Sequence, residues 1–496
     1  MSAGNDPRPN VLWICTDQQR YDTIGALGNE AIRTPNIDGL VNGGVAFTRA
    51  YCQNPICQPS RASFMTGLYP STLHVNGNGV NTFPENVPLI SKLFADAGYT
   101  CGLVGKLHLN AAYDGVEKRV DDGYSYWHYS HTPHWQTAND PSKGHDYVQW
   151  VASQGEDLEA VLADPEGVPD RLHHTTWCAE KTKEFMVQNR DTPWFVNLNM
   201  FYPHPPFNPP REYLDLYDPD AMPGPLYRES DLTEQKRLDL IPVQREAAPP
   251  DQLAVGQREG QTDNYLGGRQ DTGAMKAHYY ALITHIDDQV GRMLNVLEKT
   301  GQRDNTIVIF TSDHGEFLGY HGLIYKGCRF YECMTRVPLV WNWSGQFESG
   351  VQASGLVELI DIAPTLLGLA GLDVPDHMQG CSLKSILYGN SASDTFREYV
   401  RSEYYDAQGG KNRDGKSGFG TMYRDDRYKL VVYHGYDLGE LYDLEEDPGE
   451  FENRWDDPEF RDLKLDLMKK SFDASMLITD WGGVPVVRRT PGRCGR

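Results

Sequence analysis

The segment Asn305–His314, NTIVIFTSDH, runs a strand-length block of β-branched and aromatic residues straight into an aspartate and a histidine. An apolar run without alternation suits a strand covered on both faces, as in a parallel sheet. Asn10–Gln18, NVLWICTDQ, repeats the pattern and ends in Asp17 and Gln18. Similar runs occur at 99–105 (YTCGLVG), 193–202 (PWFVNLNMFY) and 337–343 (VPLVWNW). Helical periodicity lies between them, at Pro88–Ala97 and at Met275–Lys299, where Leu282, Ile286, Val290, Met293 and Leu297 share a face. His278 and His285 on that helix read as packing residues. The pattern predicts an α/β fold: a large mixed, mostly parallel sheet sandwiched by helices. Ligands of such sheets collect at the carboxyl ends of the strands. If the strands ending in Asp17–Gln18 and Asp313–His314 are neighbours, two carboxylates, an amide and an imidazole meet there. That set suits a divalent cation such as Ca²⁺ or Mn²⁺.

The stretch Tyr227–Gly273 is polar and turn-rich and reads as an excursion over the surface. Tyr124–His145 crowds aromatics and histidines into a loop that could rim a pocket. After the helix in LIDIAPTLLGLAGL (359–372), short strands such as REYVRSEYY (397–405) and RYKLVVYH (427–434) predict a small C-terminal antiparallel α+β subdomain. The boundary is placed between a catalytic domain, 1–394, and a C-terminal subdomain with tail, 395–496. The basic end VVRRTPGRCGR (486–496) reads as a frayed tail.

Lys plus Arg number 46 and Asp plus Glu 69, a formal charge of -23 that argues against nucleic acid and anionic membranes as partners. No run approaches the ~20 apolar residues of a membrane span, and the polar start MSAGNDPRPN lacks a signal-peptide core. A cytoplasmic protein is expected. Nine cysteines, an odd number, predict reduced thiols rather than a disulfide framework.

One cysteine stands apart. In Asn54–Pro70, NPICQPSRASFMTGLYP, Cys57 precedes a predicted helix whose free N–H groups suit an oxyanion or a thiolate. CQPSR (57–61) resembles the C-x-P-S-R signature of type I sulfatases of the alkaline phosphatase superfamily, whose cysteine is oxidised to formylglycine. The resemblance spans most of the chain: TDQQR, TPNIDGL, GKLHL, FYPHPP, SDHGE, HGLIYKG and LYDLEEDPGE all fit it. It implies a sulfuric ester hydrolase in which a hydrated aldehyde at position 57, on a divalent metal, attacks sulfur; sulfate then leaves as the aldehyde reforms.

Site roles follow from the same resemblance. Asp17, Gln18, Asp313 and His314 would hold the metal together with the modified Cys57. Arg61 and Lys106 would hold the aldehyde hydrate, and His108 would serve as base for its breakdown. His204 and Lys326 would clamp the sulfate and protonate the leaving group, with Asn78 in VNGNGV (75–80) contacting substrate. The implied partners are a small-molecule sulfate ester, a formylglycine-generating enzyme and further copies of the chain, as a dimer or tetramer. Gln18 and His314 stand where many sulfatases have aspartate and asparagine, which is closer to phosphonate monoester hydrolases and to choline and iduronate-type sulfatases. Phosphonate monoester hydrolases usually lack the lysine–histidine pair of GKLHL, so sulfate esters lead, with phosphoesters and phosphonates as side substrates. The alternative is a phosphonate monoester hydrolase or phosphodiesterase. A non-enzymatic oxyanion binder would need neither a maturation motif nor an acid–base set.

Overall fold

A computed structural model describes residues 8–112, 116–133, 145–164, 167–253, 257–258, 261–262, 271–408 and 417–478. The main sheet contains strands β1 (Asn10–Thr16), β2 (Val45–Phe47), β3 (Thr100–Gly105), β4 (Tyr126–Tyr129), β5 (Trp194–Asn199), β6 (Thr306–Ser312), β7 (Leu339–Asn342) and β8 (Val351–Ala353). Their order is β8-β2-β7-β6-β1-β5-β3-β4. From β6 to β4 all neighbours run parallel, whereas β7 is antiparallel to both β6 and β2. The mixed, mostly parallel sheet is thus as read from the apolar runs.

The described helices used below are α1 (Cys57–Thr66), α2 (Ile90–Asp96), α3 (His174–Gln188), α4 (Glu229–Arg237), α5 (Thr272–Lys299), α6 (Ile362–Leu369) and α7 (Arg461–Met476). Strand β1 shows why its sequence does not alternate. Leu12 and Ile14 pack into one core with α3 and α5, while Val11, Trp13 and Cys15 pack into a second core with α1, α2 and α6 on the opposite face. All five are fully buried, each contributing about 1.5–3 kcal/mol when large.

Register then fixes the site. Thr16 pairs with Ser312, so β1 and β6 end side by side; Gly105 pairs with Asn199, so β3 and β5 end level with each other. Loops carrying Asp17, Gln18, Lys106, His108, His204, Asp313 and His314 leave the same edge.

Two segments differ from expectation. Tyr124–His145 contains the edge strand β4, paired with β3, with 134–144 outside the described residues. Its polar aromatics form a ladder because β3 offers an open parallel edge. The excursion at 227–273, of which 254–256, 259–260 and 263–270 lie outside the described residues, contains α4, capped at its start by Asp231 on the Arg228 N–H; Asp231 and Gln235 are buried and the other positions of the helix are partly or fully exposed. The tail at 486–496 lies outside the described residues.

The C-terminal part holds an antiparallel sheet of β9 (Val400–Tyr405), β10 (Phe419–Arg424), β11 (Tyr428–Tyr433) and β12 (Leu438–Asp443), covered by α7. Buried charges bind it to the main sheet's unit. Arg397 pairs with Glu358 and, at 2.5 Å, with Asp361; Glu358 also accepts from Tyr69 Oη (2.7 Å) and the Arg401 N–H (2.9 Å). Lys429 lies 2.7 Å from both Glu332 and Glu450. At the rim, the Asn78 N–H donates to the Ala407 carbonyl at 2.6 Å, and Gly77 is so close that a Cβ there would sit 2.6 Å from that oxygen.

Cys15, Cys52, Cys57, Cys101, Cys178, Cys328 and Cys333 are free and buried, as expected. Cys381 departs from the expectation of reduced thiols throughout: it is disulfide-bonded.

Removing one partner of a buried ion pair leaves an uncompensated charge. Arg397→Met, which strands Glu358 and Asp361, is expected to lower unfolding free energy by about 3–5 kcal/mol in urea titrations near neutral pH; a loss below about 1 kcal/mol would show that this anchor is dispensable.

Candidate active site

Helix α1 begins at Cys57, so its thiol sits at the positive end of the backbone dipole, only 1% exposed. Cys57 Sγ lies 3.1 Å from His314 Nε2, 3.5 Å from Asp17 Oδ1 and 3.0 Å from Lys326 Nζ. One donor atom each from Asp17, Cys57, Asp313 and His314 falls within 4.8 Å of the others.

The two carboxylates divide their oxygens. Asp17 Oδ2 takes Lys106 Nζ (2.7 Å) and an Arg61 nitrogen (3.3 Å), and Asp313 Oδ2 takes Arg61 Nε (2.8 Å). Their Oδ1 atoms face His314 Nε2, at 4.0 and 3.8 Å. His314 Nδ1 is 2.8 Å from the Gly315 carbonyl, so a proton on Nδ1 leaves the Nε2 lone pair aimed between the carboxylates. This is how a ligating imidazole is oriented, and with two hard oxygens it fits a divalent cation.

Gln18 adopts φ +68, an uncommon left-handed conformation for a side-chain-bearing residue. It is held there at both ends: its N–H donates to Asp313 Oδ1 (3.0 Å), and its carbonyl accepts from Tyr279 Oη (2.7 Å). The cost of such a conformation is about 1–3 kcal/mol. The same turn puts Gln18 Oε1 2.8 Å from Lys326 Nζ.

Electrostatics follows from burial against charge. Burial alone would raise Asp17, but Lys106, His204, Arg61 and Lys326 together hold it well below the usual carboxylate range. Burial and Asp17 push the Cys57 thiol up, yet Lys106, Lys326 and His314 bring it below its ordinary value. Burial lowers His314, but Asp313 and Cys57 outweigh it and raise the imidazole; a cation between the carboxylates would cancel that push. Burial, with Lys106 and His131, keeps His108 well below 6.5, hence neutral and able to accept a proton.

The remaining residues named from the sequence gather around this cluster. His204 is 9% exposed, with Nδ1 2.6 Å from the Pro205 carbonyl. Asn78 Oδ1 accepts the Gln58 N–H at 3.0 Å, tying its loop to the first turn of α1.

Four contributors escaped the sequence reading. Glu117 accepts the backbone N–H groups of His108, Leu109 (2.7 Å) and Asn110 (3.0 Å), holding His108 at φ +57. Tyr279 clamps the turn after β1. His131 meets the edge of His108, with ring centroids 4.6 Å apart; the histidine-rich stretch was the signal for it. Glu316 closes SDHGE and bonds to Gln18 Nε2, and burial pushes it up to about 7.

The family model described as sulfatase matches residues 9–372, most of the chain. The chain belongs to the sulfatase family. A second model, the C-terminal part of N-sulphoglucosamine sulphohydrolase, matches residues 319–475 of this sulfatase. It is 30% identical to an arylsulfatase of Clostridium perfringens, covering 93% of both chains. It is also 30% identical to the multifunctional alkaline phosphatase superfamily protein PehA of Trinickia caryophylli, covering 94% of both. The crystal structure of a phosphonate monoester hydrolase of Agrobacterium radiobacter superposes with TM-score 0.79 at 27% identity, over 95% of this chain and 96% of that one. The protein is a hydrolase acting on sulfuric ester bonds.

Loss of a residue that merely orients a metal ligand costs about 10–100-fold in affinity. Asp313→Asn, within the group of side chains that could hold a metal ion, is expected to weaken binding of a divalent cation by at least about 100-fold in calorimetric titration; unchanged affinity would remove Asp313 from that group.

Proposed function

We propose that this sulfatase cleaves sulfate monoesters at position 57, with Cys57 matured to formylglycine beside a Ca²⁺ or Mn²⁺ ion held by Asp17, Gln18, Asp313 and His314. The observation that carries the reading is the place of Cys57 Sγ. It marks where an oxygen of the aldehyde hydrate would lie, and it is surrounded by His314 Nε2, Asp17 Oδ1 and Lys326 Nζ at 3.1, 3.5 and 3.0 Å. Bound there, the cation would lower the pKa of the aldehyde hydrate and draw charge from the sulfate oxygens.

The chain's own residues supply the rest. Arg61 and Lys106 sit beside the carboxylates, fixing their orientation and offsetting charge that develops on the sulfuryl group. Lys326 Nζ reaches the nucleophile position and can hold a sulfate oxygen. His204 would protonate the departing alcohol oxygen, and neutral His108 would take a proton as sulfate is released. Asn78 keeps the rim loop against α1 for contact with substrate.

Phosphoesters and phosphonates are read as side substrates because their tetrahedral anions fit the same cationic ring. A second reading makes a phosphonate monoester or phosphodiester the main substrate. It is favoured by Gln18 and His314 and by the likeness to the Agrobacterium radiobacter enzyme. Lys106 and His108 lying within the site favour sulfate.

Maturation needs a formylglycine-generating enzyme as partner. Because Cys57 is nearly inaccessible in the fold, that enzyme must act before α1 packs. The division at 394/395 and a dimer or tetramer belong to the same reading. No helix among the described residues is long and apolar enough to cross a membrane. Seven free thiols among the described residues support a cytoplasmic location, and the Cys381 disulfide is the observation against it.

Cys57→Ala is expected to lose nearly all turnover of an aryl sulfate, and mass spectrometry of the wild-type peptide around position 57 to show an aldehyde; retained hydrolysis by the purified variant would refute the mechanism. Lys326→Ala should lower kcat/KM by about 10²–10³, the usual cost of one donor to a developing oxyanion. With matched leaving groups, kcat/KM should be higher for the aryl sulfate than for the aryl phosphonate, and the reverse order would establish the second reading.

A further inference from the structure

The side-chain amide of Gln18 has two ends of nearly equal shape and opposite hydrogen-bonding character. Which end faces the metal position is therefore decided by its neighbours. One neighbour is Glu316, fully buried beneath the site. Its Oε2 accepts from Gln18 Nε2. Its Oε1 accepts the backbone N–H groups of Leu318, at 3.1 Å, and Tyr325. As a carboxylate Glu316 accepts from all three of these donors, and in that form it bonds to Gln18 through the amide nitrogen. Gln18 Oε1 is then turned the other way, where it lies 2.8 Å from Lys326 Nζ. The Tyr325 bond also fixes the residue before Lys326, held at φ +66. One carboxylate thus governs both the oxygen offered to the cation and the backbone that carries Lys326.

We propose that Glu316 is a positioning residue that sets the orientation of the Gln18 amide, holding its oxygen toward the divalent cation and Lys326. The inference rests on reading Gln18 as a metal ligand.

The swap of functional groups between positions 18 and 316 makes it testable. In Glu316→Gln the new amide oxygen keeps the two backbone N–H donors, so its NH₂ faces Gln18. Gln18 must then give up its oxygen to that NH₂ and turn its nitrogen toward the cation. Calorimetric titration of metal-stripped protein with Ca²⁺ and with Mn²⁺ should show affinity falling about 10–100-fold, while the thermal unfolding of the metal-free protein stays close to wild type. Adding Gln18→Glu should restore binding, since a carboxylate at 18 accepts at both ends. Recovery to within about two- to threefold is expected from ordinary additivity error. Because a carboxylate at 18 strengthens cation binding by itself, the Gln18→Glu single variant is the control: a merely structural Glu316 gives the same gain on both backgrounds, and a larger gain on the Glu316→Gln background supports the swap.

Wild-type affinity in Glu316→Gln, or a double variant no better than the single one, would overturn the proposal. If Glu316→Gln alone does not fold, a double variant that folds and binds metal supports it, and failure of both overturns it. Wild-type protein that binds neither cation would instead overturn the metal reading on which this rests.

Discussion

Asp17 and Asp313 end two parallel strands that pair in register, and Arg61 bonds to both of them. This three-residue bridge is the constraint on which the site depends. Two buried carboxylates this close would repel, and each carries a desolvation cost of several kcal/mol. Arg61 and Lys106 occupy the Oδ2 side, which stabilises both anions while leaving the Oδ1 atoms directed at His314 and Cys57. Without those cations the two buried anions would have no compensating charge on their Oδ2 side. The sheet brings the charges together, and α1, which supplies Arg61 one turn after Cys57, makes their proximity tolerable.

The same economy explains why Cys57 lies at a helix start. Cys57 and Arg61 are separated by one helical turn, so the residue that pins the carboxylates also fixes Cys57 relative to them. The Ser60 hydroxyl donates to the Asp313 carbonyl at 2.6 Å, adding a second link between α1 and the end of β6. The spacing of the five-residue signature thus expresses a geometric requirement: one turn of helix spans the distance between Cys57 and the bridge.

Much of this was legible in the sequence because strands that run into ligand-type residues announce both the sheet and its functional edge. Asp17, Gln18, Asp313 and His314 follow from that logic, and Lys106, His108, His204 and Lys326 from motifs. Glu117 and Glu316 were not legible, because their partners are largely backbone N–H groups, which look alike at every residue. Tyr279 was hidden for another reason: it belongs to the buried face of α5, where a tyrosine reads as core until its hydroxyl is seen against Gln18. Strand β4 and helix α4 were missed because aromatic and polar composition masked elements that tertiary packing makes regular. The Cys381 disulfide had no signature, since an odd cysteine count pointed the other way.

The contact between Gly77–Asn78 and Ala407 ties the loop bonded to the first turn of α1 to the segment that follows β9. The two parts therefore do not behave as an engine with a detachable appendix. Any exchange of C-terminal segments among homologues would disturb the loop bonded to the helix that carries Cys57, so the two parts must vary in concert.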